Sequence, residues 1–271
     1  LVVLSGEAVG GSRGNLLRLA LAIELIHTAT LIHDDIIDGD VERRGKPALH
    51  IQHGNKAILA GDLFFAKALD LASAYSPEVI RILAQATLEI CDGENLDVSL
   101  RLEESSEVDV LLKIKRKSAS LFRAAAHSGA LVGGGSLKEI ECLKDFGENF
   151  GMAYQLADDL REIEEGYFSD LKGGRLTLPY LHLYSNGGED VRKILKENFG
   201  KGGFSDEEVK VVVEALQNCG SLEYCRKLVS KYLDEALKRL EGLKNESYRK
   251  LLEAFALSYV WVGKPLKAEE V

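Results

Sequence analysis

The stretch His33-Asp34-Asp35-Ile36-Ile37-Asp38 decides the fold of this chain together with a second acidic stretch, Gln155-Leu156-Ala157-Asp158-Asp159-Leu160-Arg161-Glu162. Both lie in apolar surroundings with helical periodicity. Each places two carboxylates four residues apart, Asp34 with Asp38 and Asp158 with Glu162, and therefore on one face of a helix. Like charges at that spacing repel one another, and their burial requires a cation. The pattern predicts two facing helices that hold Mg²⁺, a hard cation that takes oxygen ligands and shares them with phosphate groups.

The composition excludes several classes of protein. The chain has 271 residues, is 46% hydrophobic and has a net charge of −9. The acidic charge argues against nucleic acid as a partner, because phosphate backbones bind basic surfaces. The spacing of the four cysteines fits neither a metal site nor a disulfide framework, which favours reduced thiols in a cytoplasmic protein. No apolar run approaches the roughly 20 residues that cross a bilayer, so we expect no integral membrane segment.

Helical periodicity dominates the chain, and no alternating pattern of strand length is present. The expected features are helices at residues 12–38, 55–74 and 107–131, an N-cap at Ser76-Pro77, a glycine turn at 133–135, capping boxes at Ser136/Glu139 and Ser205/Glu208, and a link at Gly202-Gly203. This organisation predicts one all-α domain that spans residues 1–271.

Several cationic and polar side chains accompany the acidic clusters. His27 lies seven residues before Asp34 on the same helical face, where it is equally consistent with a core residue and with a ligand. Arg43 and Arg44 indicate phosphate recognition, although a solvated turn with local ion pairs remains an alternative. The basic run that ends at Lys117 is either a wet helix face or one that turns Lys117 towards a second phosphate. Lys172 and Arg175 follow the second cluster and are further phosphate candidates.

Taken together, these motifs resemble the trans-isoprenyl diphosphate synthases, or polyprenyl synthetases, over essentially the whole chain. The resemblance rests on segments in family order and spacing: Glu24-Leu25-Ile26-His27-Thr28, the His33–Asp38 stretch, Arg43-Arg44-Gly45-Lys46-Pro47, Ala60-Gly61-Asp62-Leu63, Lys117-Ser118, Tyr154-Gln155-Leu156-Ala157-Asp158-Asp159 and Thr177-Leu178-Pro179.

The resemblance implies an all-helical, isoprenoid-synthase-type bundle around a deep central cavity, usually in a homodimer. It also implies Mg²⁺-dependent condensation of isopentenyl diphosphate with an allylic diphosphate. The implied catalytic residues are Asp34, Asp35, Asp38, Asp158, Asp159 and Lys117, and the implied metal ligands are Asp34, Asp38, Asp158 and Glu162. The implied substrate contacts are His27, Arg43, Arg44, Lys117, Ser118, Gln155, Lys172 and Arg175.

The chain departs from the family pattern at several points. Glu162 stands where aspartate is usual, Ser118 replaces a threonine, and Arg175 occupies a common lysine position. The stretch after Glu162, residues 163–169, is short and lacks the Gly-Lys pair expected in the family, so one phosphate-binding lysine is missing. We also expect an isopentenyl-diphosphate-binding segment to precede Leu1. The altered second cluster and the missing lysine leave open a non-catalytic regulatory subunit of a heteromeric synthase. A class I terpene cyclase, which shares the helical fold and the first aspartate motif, is the other alternative.

The length of the product depends on the residues before the first aspartate. In this family the residues four and five positions before it form a floor, and here they are Thr30 and Ala29. Both are small, which favours a product of C20 or longer. We expect a phenylalanine at position 29 to shorten it.

Overall fold

The computed structural model describes residues 1–201 and 203–260, and within them helices dominate. The helices are α1 (Val2–Ala8), α2 (Arg13–Ile37), α3 (Leu49–His53), α4 (Lys56–Ala72), α5 (Pro77–Ser99), α6 (Glu107–Ile114), α7 (Ser120–Val132), α8 (Leu137–Glu164), α9 (Ser169–Gly173), α10 (Leu178–Asn186), α11 (Glu189–Asn198), α12 (Asp206–Asn218), α13 (Ser221–Leu240) and α14 (Glu246–Tyr259). A π-helical turn, Lys115–Ala119, joins α6 to α7. Two-residue strands, β1 (Glu42–Arg43) and β2 (Lys46–Pro47), form an antiparallel hairpin after α2.

Two hydrophobic clusters hold the bundle together. The larger one surrounds α8 and contains the stacked rings of Phe146 and Phe150, which are fully buried. The smaller one joins α2 to α4 and α5 through buried side chains such as Leu19 and Leu83. Because α2 and α8 carry the two acidic stretches and belong to different clusters, the core fixes these stretches on separate walls of the molecule.

Local sequence signals account for several helix boundaries. The predicted helices at 12–38 and 55–74 correspond to α2 and α4, and the capping boxes at Ser136 and Ser205 are confirmed. Ser76 lies at the N-cap of α5 with Pro77 next to it, but the Ser76 side chain makes no capping hydrogen bond. A further capping box, at Ser106, was not expected. Of the predicted link, Gly202 lies outside the described residues.

Within the described residues, α2 is the one helix long and apolar enough to span a membrane by length and composition alone. The expectation of no integral membrane segment rested on the lack of a long uninterrupted apolar run. In α2 the polar residues Arg18, Glu24 and His27 interrupt such a run, but the mean hydropathy of the helix remains high. Leu16, Leu19 and Ala22 of α2 are fully buried in the bundle. A core helix of a soluble protein passes the same test, so the finding is weak evidence for a membrane span.

Candidate functional site

Both acidic stretches line one polar cavity of about 350 Å³. Helix α2 contributes Asp34 and Asp38 to its wall, and α8 contributes Asp158, Asp159 and Glu162. Asp35 does not line it. Its buried carboxylate instead accepts a hydrogen bond from Arg43 Nε, which carries Arg43 into the cavity wall.

Cationic side chains neutralise part of this acidic cavity. Arg175 contacts carboxylates of Asp170 at 2.7 Å, Asp40 at 3.4 Å and Asp38 at 3.5 Å. Arg161 Nη1 donates to Asp158 Oδ1 at 2.8 Å. Arg175 thereby ties the segment that follows α9 to the end of α2.

Burial changes the protonation of the carboxylates. It raises the pKa of Asp34 to about 7. The positive charge of Lys117 lowers this pKa, and the carboxylate of Glu94 raises it further. Burial likewise raises the pKa of Asp159 to about 7, although the charge of Lys113 opposes it. Burial is also the main reason that the pKa values of Asp38, Asp158 and Glu162 are raised. Groups that retain protons near neutrality release them when a cation binds.

The donor set fits a hard divalent cation. Asp159 Oδ2 and Glu162 Oε2 are buried and have no hydrogen-bond partner among the described residues. Over the same part of the chain, no three histidine, cysteine or acidic side chains converge closely enough to hold a metal by themselves. Carboxylates on two walls around an open space suit an ion that takes its remaining ligands from a substrate.

Besides lining the cavity, Glu162 anchors the segment that follows α8, which the sequence did not suggest. Its Oε1 accepts hydrogen bonds from Ser169 Oγ at 2.8 Å and from the Asp170 backbone N–H at 3.0 Å. One oxygen of Glu162 thus anchors the start of α9, and Oε2 remains for the cavity.

The π-helical turn presents Lys117 and Ser118 to the cavity. Ser118 Oγ donates to Gln155 Oε1 at 2.8 Å, and Gln155 Nε2 donates to Asp159 Oδ1 at 2.9 Å. π-turns within α-helices are frequent at functional sites. Three polar residues of the sequence prediction therefore form one hydrogen-bonded chain on the cavity wall.

Sequence reasoning missed the partners of Lys117. Its ammonium lies 2.6 Å from Glu94 Oε2 and 2.7 Å from Asp97 Oδ2, both on α5. Burial lowers the pKa of Lys117, but the carboxylates of Asp97, Asp34 and Glu94 outweigh it and raise that pKa above its usual value. The sequence signal that could have revealed these partners was the pair Glu94 and Asp97, two acidic residues three positions apart in a largely apolar helix.

The remaining predicted substrate residues are placed differently. His27 is partly buried and lines the apolar cavity described below. Arg44 is exposed in the β1–β2 turn, where its φ is 53°. Lys172 is exposed on α9 and lines neither cavity. The structure therefore brings Arg175 into the polar cavity but does not bring Lys172 there.

A second cavity, of about 440 Å³ and largely apolar lining, joins the polar one. The residues that line both cavities are Leu31, Asp34, Lys117, Ser118 and Gln155. The apolar cavity continues along α2 past Thr30, His27 and Ile23 to Ala20. Ala29 is fully buried and does not line it. Five residues turn a helix by about 500°, so Ala29 faces about 140° away from Asp34, whereas Thr30 is only about 40° away.

Comparison with known proteins gives one consistent result. The polyprenyl synthetase family model matches residues 1–216. A geranylgeranyl diphosphate synthase from Methanosarcina mazei is 35% identical over 266 residues, which cover 93% of this chain and 80% of that protein. An octaprenyl diphosphate synthase from Escherichia coli is 31% identical, over 94% of this chain and 82% of that protein.

Solved structures agree with the sequence matches. A polyprenyl synthase from Caulobacter crescentus, complexed with calcium and isoprenyl diphosphate, superposes with a TM-score of 0.90 at 32% identity, over 97% of this chain and 83% of that one. A geranylgeranyl pyrophosphate synthetase from Pyrococcus horikoshii superposes with a TM-score of 0.86 at 33% identity, over 96% and 84%. These similarities confirm the predicted all-α architecture.

Proposed function

This chain belongs to the polyprenyl synthetase family, and from that premise we propose that it condenses isopentenyl diphosphate with an allylic diphosphate to form a trans-polyprenyl diphosphate, with Mg²⁺ as the metal. One observation carries the proposal: a polar, carboxylate-lined cavity and an apolar cavity meet at Asp34, Lys117, Ser118 and Gln155. A diphosphate with a hydrocarbon tail needs this combination. Its reactive carbon, which joins the two parts, would lie at the junction.

The family depends on a divalent metal, and the oxygen donors on both walls suit Mg²⁺. In this assignment Asp34 and Asp38 hold the metal from α2, and Asp158 and Glu162 hold it from α8. Asp159 supports this wall through Gln155. Bound Mg²⁺ supplies positive charge that stabilises the diphosphate as it leaves.

The protein contributes its own cations to the same step. Arg43 and Lys117 line the polar cavity and donate N–H groups to the allylic diphosphate, with Ser118 and Gln155 beside them. Arg175 provides a further cation at the edge of this cavity. His27 and Arg44 remain proposed contacts of isopentenyl diphosphate, and Lys172 remains a proposed phosphate contact. None of these three residues lines the polar cavity.

The apolar cavity protects the cationic intermediate from water. The allylic C–O bond breaks and its electron pair leaves with the diphosphate. The double bond of isopentenyl diphosphate then forms the new C–C bond, and a proton is lost to the released diphosphate. This sequence of steps requires no side-chain nucleophile.

The shape of the apolar cavity favours a product of C20 or longer. Its lining extends from Asp34 to Ala20, which is about 21 Å along α2 at 1.5 Å per residue. The positions nearest the reactive end of this wall carry Thr30 and His27, and α2 places no Phe, Tyr or Trp side chain in the lining. A chain of several isoprene units would fit along such a wall.

We further propose a cytoplasmic homodimer. Leu59 and Leu63 lie four residues apart on α4 and are 67% and 63% exposed, and Leu88 on α5 is 63% exposed. Exposed apolar faces of this kind suit contact with a second copy. The charge of −9 and four free cysteines suit the cytoplasm.

Product analysis tests the function. The protein is incubated with labelled isopentenyl diphosphate and, separately, C5, C10, C15 and C20 allylic diphosphates, with Mg²⁺ or with a chelator. We expect Mg²⁺-dependent elongation that ends at C20 or beyond. Folded protein that elongates no primer would contradict the proposal and favour the regulatory-subunit alternative, whereas a cyclised hydrocarbon would favour the cyclase.

A further inference from the structure

Asp97 is the centre of a buried ionic cluster on the wall of the polar cavity. Its side chain is 9% exposed, and its two oxygens have different partners. Oδ2 accepts a hydrogen bond from Lys117 Nζ at 2.7 Å, and Oδ1 accepts one from Lys113 Nζ at 3.0 Å. One carboxylate thus holds two ammonium groups. The role proposed for Lys117 does not account for the second lysine.

Lys113 is an unusual residue to find in this position. Its side chain is only 8% exposed, and a lysine is rarely buried to that extent without a specific partner. Its Nζ also donates to the Leu176 carbonyl at 2.8 Å. Because an ammonium group has three N–H donors, two partners leave one donor. Lys113 lines the same cavity as Lys117, so an anion in that cavity has access to both side chains.

Lys117 is held in an equivalent way. Its ammonium contacts Asp97 and Glu94 at 2.7 and 2.6 Å, and these carboxylates engage at most two of its three N–H donors. The two lysines are therefore fixed through a shared carboxylate before any ligand arrives. Donors that are fixed in advance stabilise developing charge without the cost of reorganisation.

We propose that Asp97 is a positioning residue that holds Lys113 and Lys117 as a paired ammonium clamp for a diphosphate, so that Lys113 is a second cationic contact of the allylic substrate. The inference rests on the proposed function, which assigns the allylic diphosphate to Lys117. Asp97 itself acts through the two lysines.

The variant Asp97→Asn tests the clamp, because asparagine keeps the size of the side chain but loses its charge and one acceptor oxygen. The probe is inorganic diphosphate, titrated calorimetrically with and without Mg²⁺. We expect its affinity to fall about tenfold in both conditions. The KM for the allylic diphosphate should rise by a similar factor, and the KM for isopentenyl diphosphate should stay unchanged.

Glu89→Gln is the matched control. Glu89 also lies on α5 and pairs with Arg123 at 2.6 Å, but neither residue lines the two cavities. We expect this variant to bind diphosphate like the unmodified protein. An equal loss in both variants would mean that α5 has only a structural role, which would overturn the inference.

A double-variant background separates positioning from a direct effect. In Lys113→Met/Lys117→Met protein, Asp97→Asn should cause no further loss of diphosphate affinity, and a full additional loss would refute the clamp. If Lys117→Met alone leaves the affinity unchanged, the proposed role of Lys117 fails together with the inference. If Lys117→Met weakens binding and Asp97→Asn does not, only the inference fails.

Lys113→Met keeps the test decisive if Asp97→Asn is too unstable to assay. It should weaken diphosphate binding about tenfold on its own. Unchanged binding, with a lowered melting temperature, would assign Lys113 a structural role and overturn the clamp.

Discussion

The guanidinium of Arg175 lies 3.5 Å from the carboxylate of Asp38, so an arginine from the loop after the second acidic stretch contacts the first one. The same guanidinium is bound to Asp170 at 2.7 Å. Burial lowers the pKa of Arg175, but Asp170 and Asp38 raise it more, so the side chain stays charged. Arg175 therefore supplies positive charge at a place where the bound metal would supply it.

Arg175→Met should strengthen the binding of Mn²⁺, used as a probe, to the substrate-free protein. The metal then no longer competes with a guanidinium for Asp38. We expect roughly a tenfold gain, the scale on which a neighbouring arginine changes the affinity of a carboxylate for a proton. Calorimetric titration measures it. Arg116→Met is the control, since Arg116 pairs with Asp92 at 3.6 Å and lines neither of the two cavities. Weaker Mn²⁺ binding in Arg175→Met would contradict this competition.

Gly93→Ala should destabilise the protein and disturb the π-helical turn. A Cβ at position 93 would lie 2.2 Å from the Lys117 backbone nitrogen, so α5 must move away from the turn. Overpacking of this kind costs roughly 1–3 kcal/mol. Thermal unfolding measures the loss, and the KM for the allylic diphosphate should rise because Lys117 moves.

Gly14→Ala is the control for that experiment. Gly14 lies in α2, and a Cβ there meets nothing within 4 Å. Alanine is the better helix former, so the change should be neutral or slightly stabilising. An equal loss of stability at both positions would show that contact with the turn is not the cause.

The acidic clusters were predictable because the carboxylates of each cluster lie close together in the sequence, within one helical stretch. Asp34 with Asp38, and Asp158 with Glu162, reveal a shared helical face through their spacing alone. Glu94 and Asp97 could not be assigned in that way, since their partner Lys117 lies on another helix and only the tertiary fold brings them together. Spacing predicts which residues share a face but does not predict what that face meets.

The loop residues were harder to predict for a related reason. Lys172 and Arg175 are three residues apart and both carry a positive charge, yet only Arg175 reaches the cavity. Left-handed backbone at Gly174, with a φ of 75°, ends α9 between them. The turn reverses the direction of the chain there, so the helical spacing that relates residues within α9 no longer applies beyond it.

The stability of the metal-free protein should depend on the protonation of Asp159. Burial raises the pKa of Asp159 in the folded state to about 7, from an ordinary 3.8. The folded form therefore binds a proton that the unfolded form has released, and stability falls as pH rises from about 4 to about 7. The slope for one such group is at most about 1.4 kcal/mol per pH unit. Above about pH 7 this contribution no longer changes.

Asp159→Asn removes this titration and should reduce the slope of the pH profile, to which Asp34 contributes in the same direction. In the presence of a chelator, denaturant unfolding at several pH values should show the variant gaining stability relative to the unmodified protein between pH 4 and pH 7. The exposed Asp234→Asn serves as the control. A constant difference across this range would mean that Asp159 is not the titrating group.

Thr30→Phe should shorten the product, whereas Ala29→Phe, which the sequence pattern predicted to shorten it, should mainly damage the fold. Thr30 lines the apolar cavity four residues from Asp34, so an aromatic ring there narrows the path of the growing chain. Ala29 is fully buried on a different face of α2, where a larger side chain must displace its neighbours at a cost of roughly 1–3 kcal/mol or more.

Chromatography of the products and thermal unfolding distinguish the two effects. We expect Thr30→Phe to shift the product distribution to fewer isoprene units with little change in melting temperature, and Ala29→Phe to lower the melting temperature. A shortened product from Ala29→Phe alone, at unchanged stability, would mean that the growing chain passes along the face of α2 that carries Ala29 and not through the cavity that Thr30 lines.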